Sequence, residues 1–173
     1  RAMDAVLMRV MDGLMAIPSI LLAIALVAAL GAQLWTVVVA IAIPEIPRVT
    51  RLVRSLVLTL REEPFVEAAR ALATPTPVIL MRHILPNALG PVIVAGTIDV
   101  AAAIIAESTL SFLGLGFPPD IPTWGRILFD AKDHMDIAPH WALFPGLLIF
   151  ITVLTINYIG DGLRDAYDPR RVL

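Results

Sequence analysis

The sequence has no cysteine, which excludes disulfides and thiolate metal sites. It is also short of charge. Only 16% of its 173 residues are Asp, Glu, Lys or Arg, against about 25% in an average soluble domain. The formal net charge is −2, so there is no basic surplus of the kind that marks a nucleic-acid partner. There is no glycine-rich loop ending in Lys-Ser/Thr, so nucleotide is not bound by that device. His-Glu-x-x-His is absent, and none of Ser19, Ser55, Ser108 and Ser111 lies in Gly-x-Ser-x-Gly. An intramembrane metalloprotease or serine hydrolase therefore has no support.

What the sequence does have is apolar residues, 58% of the total, with a mean hydropathy of +0.85. That excess points to a membrane protein, because a spanning helix needs about 20 predominantly apolar residues. Residues 13–44 carry no charge. They hold one full span and part of a second, with Gly31-Ala32-Gln33 as the break. The first span is expected over residues 14–30, with Pro18 as a tolerated kink. The second starts at Leu34-Trp35, where Trp35 suits the interface. Glu45 then sits at the far interface or lines a bundle cavity. A third span is expected over residues 88–115 and a last one over 141–160, with Trp141 and Tyr158 near opposite ends. The expected fold class is an all-α membrane protein, a polytopic helical bundle with about four transmembrane helices. The chain starts at Arg1 with no signal-peptide pattern before the first apolar block, and reads as part of a longer protein.

Two acids, Asp99 and Glu107, fall inside the third span. Charges there are costly and are expected to face the bundle interior or water. A spacing of eight puts them about 80° apart on a helix, close enough to share a cavity. They would form part of a translocation path, or else hydrogen-bond to neighbouring helices. Residues 117–140 read as a proline-stiffened polar loop. His134, His140, Asp133 and Asp136 in it match no metal-ligand spacing, so they are taken as solvated and no metal site is expected.

Residues 63–87, EPFVEAARALATPTPVILMRHILPN, interrupt the apolar blocks. Pro64 suits a first helical turn, and Glu62 and Glu63 favour a helix N-terminus. Phe65, Ala68, Ala69 and Leu72 follow i, i+3, i+4, i+7, one narrow helical face. Pro75 ends this helix by Thr74. Pro77 opens a second one, expected over 78–85 and stopped by Pro86. The unit is therefore helix, rigid turn, helix.

Glu67-Ala68-Ala69, a turn, and His83-Ile84-Leu85-Pro86-Asn87 resemble the EAA loop of ABC importer permeases. More narrowly they are similar to the dipeptide/oligopeptide/nickel permease family, C-subunit type. Ala16-Ile17-Pro18-Ser19, Arg51-Leu52-Val53-Arg54, the run from Leu110 to Gly116, Trp124-Gly125 and Asp161-Gly162-Leu163-Arg164-Asp165 are family-like too. The resemblance covers nearly all of 1–173, as one partial transmembrane domain, and implies two further membrane segments upstream. It implies a cytoplasmic loop at about 61–87 whose first helix docks on an ABC ATPase subunit. Phe65, Glu67, Ala68, Ala69, Leu72, Ala73, His83, Leu85 and Pro86 would be the coupling residues. ATP and Mg would sit on that partner, with no cofactor or catalytic residue here. A second homologous permease subunit and an extracellular or periplasmic solute-binding protein would complete the importer, for peptides or nickel. The one departure is Ala73 where the family has glycine, followed by Thr74-Pro75-Thr76-Pro77. Alanine tolerates positive φ poorly, so the turn takes another path or coupling is altered.

Charge counting gives an orientation. Eleven arginines (Arg1, Arg9, Arg48, Arg51, Arg54, Arg61, Arg70, Arg82, Arg164, Arg170 and Arg171) fall on one side, and Arg126 and Lys132 on the other. The positive-inside rule puts loop 47–87 and the C-terminus in the cytoplasm and loop 117–140 outside. This is the orientation expected in a prokaryotic inner membrane. The rival class is an ion-coupled secondary transporter or channel using Asp99 and Glu107.

Overall fold

A computed structural model describes residues 2–167. The chain is 83% helical and has no strand among the described residues, as expected. Helix α1 is Ala2–Met15, α2 is Ser19–Leu30 and α3 is Leu34–Leu60. Helix α4 is Pro64–Ala71, α5 is Thr76–Phe112, α6 is Trp124–Ala131 and α7 is His140–Tyr167.

The first span departs from expectation. Instead of a kinked helix over 14–30, α1 stops at Met15 and α2 restarts at Ser19, bent by 85°. Pro18 has no N–H to donate and biases Ile17 away from helical geometry. The break at Gly31 falls where expected, with φ at 86°. Beyond it α3 runs unbroken through Pro44 and Pro47 to Leu60. Ion pairs Asp4–Arg54 (2.8 Å) and Asp12–Arg51 (2.5 Å) tie α1 along the polar half of α3.

Among the described residues α5 and α7 are long and apolar enough to cross a membrane, and the bent pair α1–α2 would make a third. By length and composition two to three helices thus qualify, against about four expected. Helix α3 has 27 residues, length enough at about 1.5 Å per residue. But its uncharged stretch ends at Glu45, and Arg48 and Arg51 follow at once.

Helix α5 carries a second correction. Pro86 does not stop it. Residues Leu80–Ile84 form a π-helical turn inside the helix, and the Leu85 N–H reaches the Leu80 carbonyl. In a regular helix the proline ring would clash with the carbonyl four residues back; the wider turn makes room for it. The Asn87 side-chain amide donates to the His83 carbonyl at 2.6 Å, across the same turn.

The supposed loop 117–140 also contains a helix, α6. Thr123 caps it by accepting the Arg126 N–H at 3.1 Å. Gly125 allows α6 to lie on α5: a Cβ there would sit 2.5 Å from the Ser108 carbonyl oxygen. Gly160 of α7 likewise faces Thr97 of α5. The main core, Ala23, Val27, Val37, Ala40 and Leu110, joins α2, α3 and α5. The tail Asp168-Pro169-Arg170, with Arg1 and Arg171, lies outside the described residues.

Candidate functional site

Two features bring polar chemistry together: the elbow between α3 and α5, and a cavity between α3, α5 and α6.

The elbow has its own small core. Val66 and Ala69 of α4 are buried against Ile79 and Ile84 of α5, with Val57 and Leu60 of α3 packed around them. This divides the expected face. Ala69 turns inward, into this core. Phe65, Glu67, Ala68 and Leu72 stay exposed, Leu72 at 81%. Val66, not singled out from the sequence, is the anchor, fully buried. Its signal was the i, i+3 pair with Ala69, hidden by the stronger stripe starting at Phe65. His83, on the π turn, is half-buried, and Leu85 and Pro86, just beyond it, are exposed. Glu67 has no ion-pair partner among the described residues.

At Ala73 the structure excludes the different backbone path. The Ala73 φ is 56°, the left-handed value. The Thr74 N–H bonds the Ala69 carbonyl at 3.1 Å and the Ala73 N–H bonds the Arg70 carbonyl at 2.9 Å. That is a Schellman ending, normally served by glycine. The backbone takes the glycine path and the alanine carries the strain.

The cavity has a volume of about 1070 Å³ and is mainly apolar. Glu45, Asp99 and Glu107 all lie on its wall. Glu45, open between two readings in the sequence, is thus a cavity residue. Arg48 pairs with Glu45 at 3.1 Å on its own helix and with Asp99 across on α5. Asp99 Oδ1 is shut off from solvent with no aligned hydrogen bond, so the Arg48 charge is what faces it. Higher on α5, the Ser111 hydroxyl donates to Glu107 at 2.5 Å, and the Thr123 hydroxyl reaches Ser111 at 3.3 Å. Asp99 and Glu107 therefore share a cavity, and both have partners. Arg48 was missed as a site residue, although its place three residues after Glu45 at the end of an apolar run was a signal.

In the outer segment His134 stacks on Trp141, ring centroids 5.1 Å apart. Among the described residues no group of three or more His, Cys, Asp and Glu is placed to hold a metal ion.

The architecture is that of a polytopic helical membrane protein with a packed helical elbow between apolar segments. The chain belongs to the family described as binding-protein-dependent transport system inner membrane component, whose model matches residues 1–172. It is 49% identical over 170 residues to the probable peptide ABC transporter permease protein y4tQ of Sinorhizobium fredii, covering 98% of this chain and 58% of that one. It is 48% identical over 167 residues to the glutathione transport system permease protein GsiD of Shigella flexneri and of Escherichia coli O157:H7, covering 96% of this chain and 55% of each. The resemblance to peptide-type ABC permeases drawn from residues 63–87 is borne out. The chain spans little more than half the length of these relatives.

Proposed function

We propose that this chain is the core of a transmembrane subunit of an ATP-driven importer, with peptides as the favoured substrate class and nickel the other the family implies. The reading rests on one observation above all: α4 is anchored by Val66 and Ala69, and presents Phe65, Glu67, Ala68 and Leu72 outward. An anchored helix with a free outer face is what a mechanical coupling element needs, since a floppy loop would absorb the push. The outer face docks on an ABC ATPase subunit, which holds ATP and Mg. Closure of the ATPases moves α4, and α4 moves α3 and α5 through its own core. The cavity between those helices is then half of the path, and a homologous permease subunit supplies the other half. A solute-binding protein delivers substrate to the side bearing α6. The chain itself makes and breaks no bond; it transmits a difference in binding free energy between two states.

The arginine asymmetry supports a cytoplasmic elbow and an external segment 117–140 in a prokaryotic inner membrane. Co-purification of the full-length protein from membranes tests the reading. An ATPase should come down with the wild type and be lost with Glu67→Arg and with Ala68→Trp. Retention by both variants, or uptake that runs on a proton gradient without ATP, would overturn it.

A further inference from the structure

Arg48 sits between two carboxylates on different helices. Glu45 lies one turn back on α3, at 3.1 Å, and Asp99 lies on α5. Asp99 is the cavity-lining residue of α5 nearest the elbow, whereas Glu107 and Ser108 line the other end beside Thr123 and Trp124. From Ala88, where the apolar part of α5 begins, Asp99 is about 17 Å along the axis at 1.5 Å per residue. That is near mid-depth of a hydrocarbon layer of about 30 Å, so Arg48, paired with it, lies within the membrane on this reading and not in the cytoplasmic loop where the charge count had placed it. Charges at that depth are retained only where they are paired or line a pathway.

We propose that Arg48 and Asp99 form a charge lock that joins α3 to α5 across the elbow end of the cavity, and that Glu45 is the alternative partner that lets the lock open. If α3 and α5 separate, Asp99 is released toward the cavity, where water or substrate reaches it. Arg48 is not stranded, because Glu45 travels with it on the same helix. Arg48 therefore has a partner in both states, which avoids leaving an unpaired charge at membrane depth. A pair without the third group would either hold the helices shut or not form. The inference rests on the orientation proposed above, in which the elbow end is cytoplasmic.

No cysteine within these 173 residues competes with an introduced one, and any cysteine in the rest of the full-length transporter or its partners is first replaced by serine. The probe is a membrane-impermeant charged maleimide, applied to the full-length transporter with its partners in sealed inside-out vesicles. Ala103→Cys, on the cavity wall beyond Asp99, reports access past the lock. Thr59→Cys, exposed near the end of α3, reports orientation. Fast labelling of Thr59→Cys from the outside of these vesicles upholds the orientation; protection of it overturns that reading, whatever the lock does.

With Asp99 intact, labelling of Ala103→Cys should be slow in the resting transporter. Asp99→Asn should speed it by roughly tenfold or more, the change expected when a gate loses about 1.4 kcal/mol or more of closing free energy. The exchange Arg48→Asp with Asp99→Arg should return it toward the slow rate. Glu45→Gln should act oppositely, slowing the labelling that substrate and ATP induce. Rates for Asp99→Asn and Arg48→Gln within twofold of the parent would overturn the lock. If a single variant is lost from the membrane, repair of that loss by the exchange supports the pair, and failure of repair counts against it.

Discussion

Ala73 and Gly114 end two different helices with the same pair of backbone hydrogen bonds. After Gly114, at φ 77°, the Leu115 N–H bonds the Leu110 carbonyl at 2.8 Å and the Gly114 N–H bonds Ser111 at 3.0 Å. After Ala73, at φ 56°, the matching bonds run from Thr74 to Ala69 and from Ala73 to Arg70. One site has the residue that the conformation favours and the other does not. The left-handed conformation costs a non-glycine residue about 1–2 kcal/mol, of which the stiffer unfolded chain returns about 0.4–1. Ala73→Gly should therefore stabilise the elbow by roughly 0.5–1 kcal/mol while leaving ATPase co-purification and uptake intact. Limited proteolysis of the elbow, slower in the glycine variant, is the check. Ala73→Val should do the opposite, since a β-branched residue at positive φ is a stronger outlier.

The two faces of α4 should respond differently to substitution. Val66→Ala removes most of a fully buried side chain, worth about 1.5–3 kcal/mol for complete burial, and loosens α4 from α3 and α5. Phe65→Ser removes an exposed ring and leaves that core untouched. The first should raise proteolysis at the elbow and weaken transport together. The second should leave proteolysis unchanged while lowering ATPase recovery, and transport with it. Equal proteolysis in both would mean that the inner face is not what holds the elbow.

How much of this was legible follows from range. Local rules placed what depends on neighbours in sequence: Pro64 at the start of α4, Gly31 at the break between α2 and α3, the end of α4 before Pro75. They also placed Asp99 and Glu107 on one side of α5. They failed where distant partners decide. Val66 is the elbow's anchor only because Ile79, Ile84, Val57 and Leu60 are there to receive it. Arg48 meets an acid fifty-one positions away. Pro18 was read as a kink and Pro86 as a stop, yet Pro18 separates two helices and Pro86 is absorbed into one. The difference is the π turn, which proline spacing does not announce. The short α6 escaped because its prolines and charges resemble a loop, although Thr123 before Trp124 was a usable N-cap signal.

Gly125 should be intolerant of any side chain. A Cβ would meet the Ser108 carbonyl at 2.5 Å and the Ser111 Cβ at 2.8 Å, and neither is a flexible end. Gly125→Ala forces α6 off α5, at about 1–3 kcal/mol by analogy with overpacked cores. It also pulls Thr123 away from Ser111, the neighbour of Glu107 on the cavity wall. The expected result is weakened uptake with ATPase co-purification retained, since the elbow is remote from α6. Wild-type uptake in this variant would show that α6 and α5 separate without consequence.

The π turn allows a register test of the elbow. Ile79 and Ile84 are five apart and both belong to the α4 core. In a regular α-helix residues five apart point about 140° away from each other; the π turn, with its i to i+5 bonds, stacks them. Deleting Met81 would make them four apart, about 40° in an α-helix, so the core contact survives. The same deletion puts Pro86 into a regular helix, which costs about 3 kcal/mol. Deletion of Met81 alone should therefore impair elbow integrity and ATPase recovery, and adding Pro86→Ala should restore both. An alanine inserted after Met81 should not be rescued by Pro86→Ala, because six residues in an α-helix place the two isoleucines about 120° apart from the other side. If the deletion is harmless with Pro86 in place, accommodation of the proline is not what the π turn does. If deletion and insertion are equally damaging with Pro86→Ala, the elbow core does not depend on the spacing of Ile79 and Ile84.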